Sequence, residues 1–177
     1  EFLTPVYHDV DFNVKPLLAS AITSNADKSV WTIKVEPRAV WSDGKKLTAG
    51  DIKASWEWSA APAQKIGNIG NLADVKGYAD VTGGKATEMP GLVVKDDATL
   101  EITLNSGDPY FDNKLAPYAL GILPVTQLKA DPLYLTKPNP VVNGPFQVTS
   151  IDATGRQIVM NPNPKWWGPK PILQQLQ

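Results

Sequence analysis

Apolar and polar side chains alternate through Trp31-Thr32-Ile33-Lys34-Val35. With β-branched residues among them, this is the pattern of a strand with one face buried. The strand is expected to end at Glu36-Pro37, because proline has no ladder donor to offer. Trp41-Ser42-Asp43-Gly44 then supplies turn chemistry. Thr48 followed three positions later by Asp51 resembles a capping box with Asp in place of Glu or Gln, and predicts a helix from about Ala49 to Ser59. On it Ile52, Trp56 and Ser59 share a face by helical spacing, so Ile52 and Trp56 point into a core. The helix stops before Pro62. Gln64 to Asn71, with two glycines and two asparagines, reads as a loop leading into a short helix over Leu72 to Tyr78. Leu92-Val93-Val94-Lys95 and Thr99 to Leu104 flank Asp96-Asp97, a hairpin whose buried face carries Leu100, Ile102 and Leu104. Tyr110 to Ala119 predicts a short helix opened by Asp108-Pro109, with Phe111, Leu115 and Tyr118 in a stripe. Gly121 to Val125 reads as extended and buried, and Gln127-Leu128-Lys129 as a turn toward a Pro-rich loop. Phe146 to Ile151 and Gln157 to Met160 flank a Gly-containing turn and form a second hairpin. The tail from Asn161 to Pro169 reads as an irregular connector held down by Trp166 and Trp167.

Composition narrows the class. The 177 residues include 16 prolines and 13 glycines, which favours short strands and loops over long helices. The expected fold class is therefore α+β and β-rich. An apolar share of 42% with 20% charged residues is that of a folded domain rather than a disordered chain. The formal net charge of -1 provides no excess positive field for phosphates or anionic lipid, so nucleic acid and membrane surfaces are poor partners. Without cysteine, disulfides, zinc-thiolate sites and cysteine nucleophiles are excluded. No apolar run approaches the ~20 residues of a membrane span. Glu1 is followed by no basic and apolar leader, so any export signal would lie outside this sequence.

Catalytic chemistry finds little to work with. His8 is the single histidine, and a metal site or a Ser-His-Asp relay would have to be built around it. A surface or strand-edge histidine is the simpler reading. Asp96-Asp97 and the Asp9/Asp11 pair read as solvated turn formers rather than acid-base pairs. Ile66-Gly67-Asn68-Ile69-Gly70 lacks the Lys and preceding strand of a phosphate loop. Of the six tryptophans, Trp31 and Trp56 read as core, Trp58 as partly exposed, and Trp166-Trp167 as a pair that pins its segment.

Several motifs in order resemble solute-binding protein family 5, the dipeptide, oligopeptide and nickel binding proteins of ABC importers. Pro16-Leu17-Leu18-Ala19 followed by Trp31 to Val35 is similar to the family's "P-x-L-A … Y-T-F-x-L-R", with Lys34 one place before the usual basic residue. Val40 to Ile52 resembles the hallmark aromatic-x-Asp-Gly-x-x-Leu-Thr-Ala-x-Asp-Val, departing at Gly50. Asp97 to Leu104 is similar to "D-x-x-T-[LV]-x-[IV]-x-L", and Pro109-Tyr110-Phe111 to the Pro-x-Phe that follows it. Asn139 to Phe146 resembles "N-P-[VI]-G-T-G-P-[FY]", with Val142 and Asn143 replacing Gly and Thr. Asn161 to Gly168 matches "x-x-N-P-x-Y-W-G".

The resemblance implies a β-rich lobe of a periplasmic binding protein type II fold, a mixed sheet with short helices. It implies that residues 1–177 are an incomplete N-terminal lobe of a two-lobed protein whose second lobe is absent. By the same resemblance the intact protein is a monomer, periplasmic or extracellular, either free or lipid-anchored through a segment not present here. It captures a peptide-like solute by closing two lobes and hands it to a membrane permease. Motif position puts Ile66, Gly67 and Asn68 at the cleft and Asn143 and Gly144 near the hinge, with Tyr118 a further candidate. Gly144-Pro145 reads equally as a strand-entry turn. Family ligands include peptides, nickel complexes, sugars and opines. A bare metal ion is disfavoured by the lone histidine, and no cofactor is implied. Two rival classes stay open: a secreted carbohydrate-active domain using tryptophans as sugar platforms with two carboxylates, and a structural surface domain without a small ligand.

Overall fold

A computed structural model describes residues 2–177. The order is β1 (Val6–His8), β2 (Val14–Pro16), β3 (Ala19–Ser24), β4 (Val30–Val35), α1 (Ala49–Ala60), α2 (Tyr78–Thr82), β5 (Leu92–Asp96), β6 (Thr99–Thr103), α3 (Val125–Ala130), β7 (Phe146–Ile151) and β8 (Ile158–Pro162), with short 3-10 turns between them. The class is α+β. The strands form a β1-β2 ribbon, a β3-β4-β6-β5 sheet and a β7-β8 ribbon, and the ladders within them are antiparallel. The chain divides into two compact units. The larger comprises Thr4–Pro37 and Thr48–Ile122; the smaller comprises the N-terminal stretch through Leu3, Arg38–Leu47 and Leu123–Gln177.

In the larger unit, alternation does what it predicts. Trp31, Ile33 and Val35 of β4 are buried, and Trp31 and Ile33 lie opposite Ile102 and Leu100 of β6. Helix α1 packs on β5 and β6. Thr48 caps it as a true capping box: its hydroxyl accepts from the Asp51 N–H at 3.3 Å, and the Asp51 carboxylate accepts from the Thr48 N–H at 2.7 Å. The Ala49 N–H donates to the Asp97 carbonyl at 2.8 Å, tying the first turn to the β5-β6 hairpin. Ile52 and Trp56 are fully buried. The Trp56 indole donates to the Leu120 carbonyl at 3.1 Å and the Ser55 hydroxyl to the Gly121 carbonyl at 3.3 Å. Trp31 meets Phe111 at 5.9 Å between ring centroids, a tilted aromatic pair.

The structure departs from the sequence expectation at three places. The short helix expected over Leu72 to Tyr78 is a 3-10 turn at Ile69–Leu72 followed by α2 at Tyr78–Thr82. Residues between them spend their backbone groups on the sheet: Val75 bridges Leu104, the Lys76 N–H donates to Thr103 and the Lys76 carbonyl accepts from Gly91, both at 3.0 Å. Gly77 then turns the chain at φ +90°, where a Cβ would run into the Pro90 ring, so only glycine fits.

The helix expected over Tyr110 to Ala119 is instead two 3-10 turns, Asn113–Leu115 and Tyr118–Leu120, separated at Pro117, which is extended at ψ 139° and has no N–H to continue a ladder. Phe111 and Leu115 are buried as the stripe predicts, but Tyr118 is 83% exposed. Third, Val125 opens α3 rather than ending an extended segment. The ribbon β1-β2 carries no expectation because its three-residue strands are too short for alternation to show, and the six-residue strand β3 carries none either.

In the smaller unit, the Trp41 to Gly44 turn is closed by the Gly44 N–H donating to the Trp41 carbonyl at 2.8 Å and by the Asp43 carboxylate accepting from the Lys45 N–H at 3.0 Å. Gly44 sits at φ +87°. The second expected hairpin is present as β7-β8, with an irregularity between Val148 and Ser150, and Leu176 bridges Met160 beside it. Trp166 and Trp167 pack 4.6 Å apart, and the Arg38 guanidinium lies 5.5 Å over the Trp167 ring.

Candidate functional site

Ile66, Gly67 and Asn68 form an irregular link in the larger unit. Lys65 and Asn68 both take left-handed conformations, at φ +52° and +62°. Ile66 is half-buried, Gly67 and Asn68 are exposed, and the Asn68 carbonyl accepts from the Asn71 side-chain amide at 2.8 Å. Asn tolerates a left-handed backbone better than most side chains do. An extended peptide pairs with main-chain donors and acceptors, and Gly67 and Asn68 are the exposed residues of this link. Tyr118, also in the larger unit, presents an exposed phenol on its 3-10 turn.

Asn143 and Gly144 belong to the smaller unit and are buried. The Asn143 carboxamide oxygen accepts from the Leu3 N–H at 2.7 Å. On one side, the Val142 carbonyl accepts from the Ser42 N–H at 2.8 Å, and the Val142 N–H donates to the Ser42 hydroxyl at 3.0 Å. On the other, the Gly144 and Pro145 carbonyls accept from the side-chain amide and backbone N–H of Asn163, at 2.9 and 2.8 Å. Residues 142–145 thus gather three segments distant in sequence. Ser42 reads from the sequence as a turn residue and Asn163 as the Asn of the connector's Asn-Pro motif, whereas Leu3 carries no expectation. No local period announces these contacts, because the partners lie 18 to 140 positions apart.

The ionisable groups are occupied with structure. Lys53 bridges Glu57 and Glu88, and the buried Glu57 also accepts from the Met89 N–H at 2.7 Å. Desolvation works against the Lys53 charge, but the hydrogen bonds to the two glutamates outweigh it and raise the pKa. Lys114 bridges Asp74 and Asp108 at 2.6 and 2.8 Å. The hydrogen bond from Lys114 holds the Asp108 carboxyl below its ordinary value. Asp96 and Asp9 accept from the backbone of their own turns, as turn formers do. Among the described residues no three His, Cys, Asp or Glu side chains gather as metal ligands, and no helix is long and apolar enough to cross a membrane.

A profile described as bacterial extracellular solute-binding proteins, family 5 Middle, matches residues 13–177. The chain belongs to this family. It is 29% identical to the periplasmic oligopeptide-binding protein OppA of Salmonella typhimurium over 95% of its own length and 32% of that protein's. In three dimensions it is similar to the Escherichia coli murein tripeptide binding protein MppA, with TM-score 0.83 and 26% identity over 94% of this chain and 33% of that one. OppA of Listeria monocytogenes, solved bound to peptide, is similar with TM-score 0.79 and 26% identity over the same shares. The chain therefore spans about a third of the length of these relatives. Its fold is that of the type II periplasmic binding proteins, and family 5 membership makes it a relative of substrate binders rather than of enzymes.

Proposed function

We propose that this chain is part of the solute-binding component of an ABC importer that captures an oligopeptide or peptide-like ligand. It supplies part of one lobe, residues 1–177 being an incomplete N-terminal lobe, and closure against a second lobe completes the grip. The observation that carries this reading is family 5 similarity across residues 13–177 together with a fold shared with a murein tripeptide binder at TM-score 0.83. The main chain of Ile66, Gly67 and Asn68 and the exposed phenol of Tyr118 would meet the ligand; amide pairing with side-chain stacking suits a peptide of variable sequence. The protein works outside the cytoplasmic membrane, periplasmic or extracellular and tethered by a lipid, and delivers its ligand to a membrane permease.

Calorimetry tests this. Tri- to pentapeptides titrated into the protein encoded by the enclosing reading frame are expected to bind with Kd on the order of 1 μM or tighter. The 177-residue chain alone, offering half of the grip, is expected to bind at least about 100-fold more weakly. Equal affinity in both would sink the two-lobe reading. Binding of oligosaccharides in place of peptides would favour the carbohydrate class.

A further inference from the structure

We infer that Lys65 sets ligand specificity: its ammonium pairs with a carboxylate of the captured peptide, so that peptides offering this carboxylate are preferred. The inference rests on the proposal that Ile66, Gly67 and Asn68 meet a peptide, and it adds the charge the ligand must carry there.

Lys65 directly precedes those three residues in the larger unit, and it is exposed. It is the one ionisable residue between Glu57 and Asp74. The two carboxylates that bracket this run are engaged elsewhere, Glu57 with Lys53 at 2.9 Å and Asp74 with Lys114 at 2.6 Å. Among the described residues no ion pair or hydrogen bond occupies the Lys65 ammonium. Around Tyr118 no residue from Leu115 to Leu128 carries a formal charge. The surface given to the ligand therefore presents one uncompensated charge, a positive one, and its complement is an anionic group of the peptide.

The backbone singles out the same position. Lys65 and Asn68 both lie in the left-handed region, at φ +52° and +62°. Asn68 is of a type that tolerates this conformation, whereas a long side chain is strained by it, and Gly or Asn would turn the chain at Lys65 more easily. A charged side chain held at such a point is an outlier of the kind that accompanies ligand sites. An ammonium-carboxylate pair in open solvent is weak, but closure of a second lobe over the link would withdraw water and strengthen it.

Calorimetry on the intact protein tests this with tripeptide pairs that differ by one carboxylate. One pair has a free or amidated C-terminus, and the other has Glu or Gln as its central side chain. The proteins are wild type, Lys65→Asn and Lys65→Arg. Asn suits the left-handed backbone, so Lys65→Asn removes the charge without adding strain. Wild type is expected to favour the carboxylate member of at least one pair by about tenfold at low salt, and by less at about 0.5 M salt. Lys65→Asn is expected to bring that ratio below about threefold, and Lys65→Arg, which keeps the charge, to retain most of it. The pair whose ratio collapses tells whether the terminus or an acidic side chain is read. A wild-type ratio below about threefold in both pairs overturns the inference, as does a ratio above about threefold that survives Lys65→Asn. Should Lys65→Asn fail to fold, Lys65→Gln takes its place. A wild-type protein that binds neither member of either pair sinks the capture proposal itself, a separate result.

Discussion

Single residues show which physical arguments hold at short range. The Thr48 cap was legible because both partners lie three positions apart and the reciprocal bonds need only helical geometry. Thr48→Ala is expected to cost about 1 kcal/mol in urea unfolding, with Thr48→Ser close to wild type. Trp56 and Trp58 sit on the same helix with different fates. Trp56 is enclosed and donates to Leu120, whereas Trp58 is only half-buried. Trp56→Phe is expected to destabilise by about 1–3 kcal/mol, since it leaves a buried carbonyl without its donor. Trp58→Phe should stay within about 0.5 kcal/mol. Asn143 marks the limit of reading single positions. Its motif placed it among functional residues, and only its partner, Leu3, shows how the side chain is used.

At the level of elements, the β5-β6 hairpin forms where the alternation of β6 and the Asp-containing turn predict it, with an irregularity between Val94 and Asp96. Leu100→Ala, at a fully enclosed position facing β4, is expected to cost about 2–5 kcal/mol. The elements that moved did so for non-local reasons. Residues 74–76 trade a helical ladder for pairing with β6 and its extension, and α2 starts only after Gly77.

A similar non-local tie, Lys114 with Asp74 and Asp108, carries a pH signature. The Asp108 pKa is lowered, by the hydrogen bond from Lys114 first, so its contribution is present above the ordinary aspartate value and is lost as pH falls through the folded value. The Lys114 pKa is raised, by hydrogen bonds to Asp108 and then Asp74, so its contribution persists until pH climbs past about 10. Stability should therefore drop toward about pH 3, and Asp108→Asn should flatten that drop in urea midpoints compared between about pH 3 and about pH 7.

For the whole molecule, the two units differ in how much core they own. The larger has a four-stranded sheet with fully buried residues on β4 and β6 and a helix laid over it. The β7-β8 ribbon of the smaller has no fully buried strand residue, and a two-stranded ribbon by itself is marginal. Ladder amides of β4 and β6 are expected to exchange with solvent at least about tenfold more slowly than those of β7 and β8. Equal protection would mean that the ribbon draws on support comparable to that of the sheet.

What the amino-acid order determined by itself was everything whose causes lie within a few positions: the alternation of β4 and β6, the capped start of α1, the Asp-Gly turn, the hairpins, and the ordered motifs that mark family 5. What only the tertiary structure decided was where 74–76 spend their hydrogen bonds, that Pro117 divides the expected helix and leaves Tyr118 outward, and that Asn143 is enclosed against Leu3. A backbone group takes whichever partner satisfies it with good geometry. When that partner is tens of residues distant, no local period can announce it.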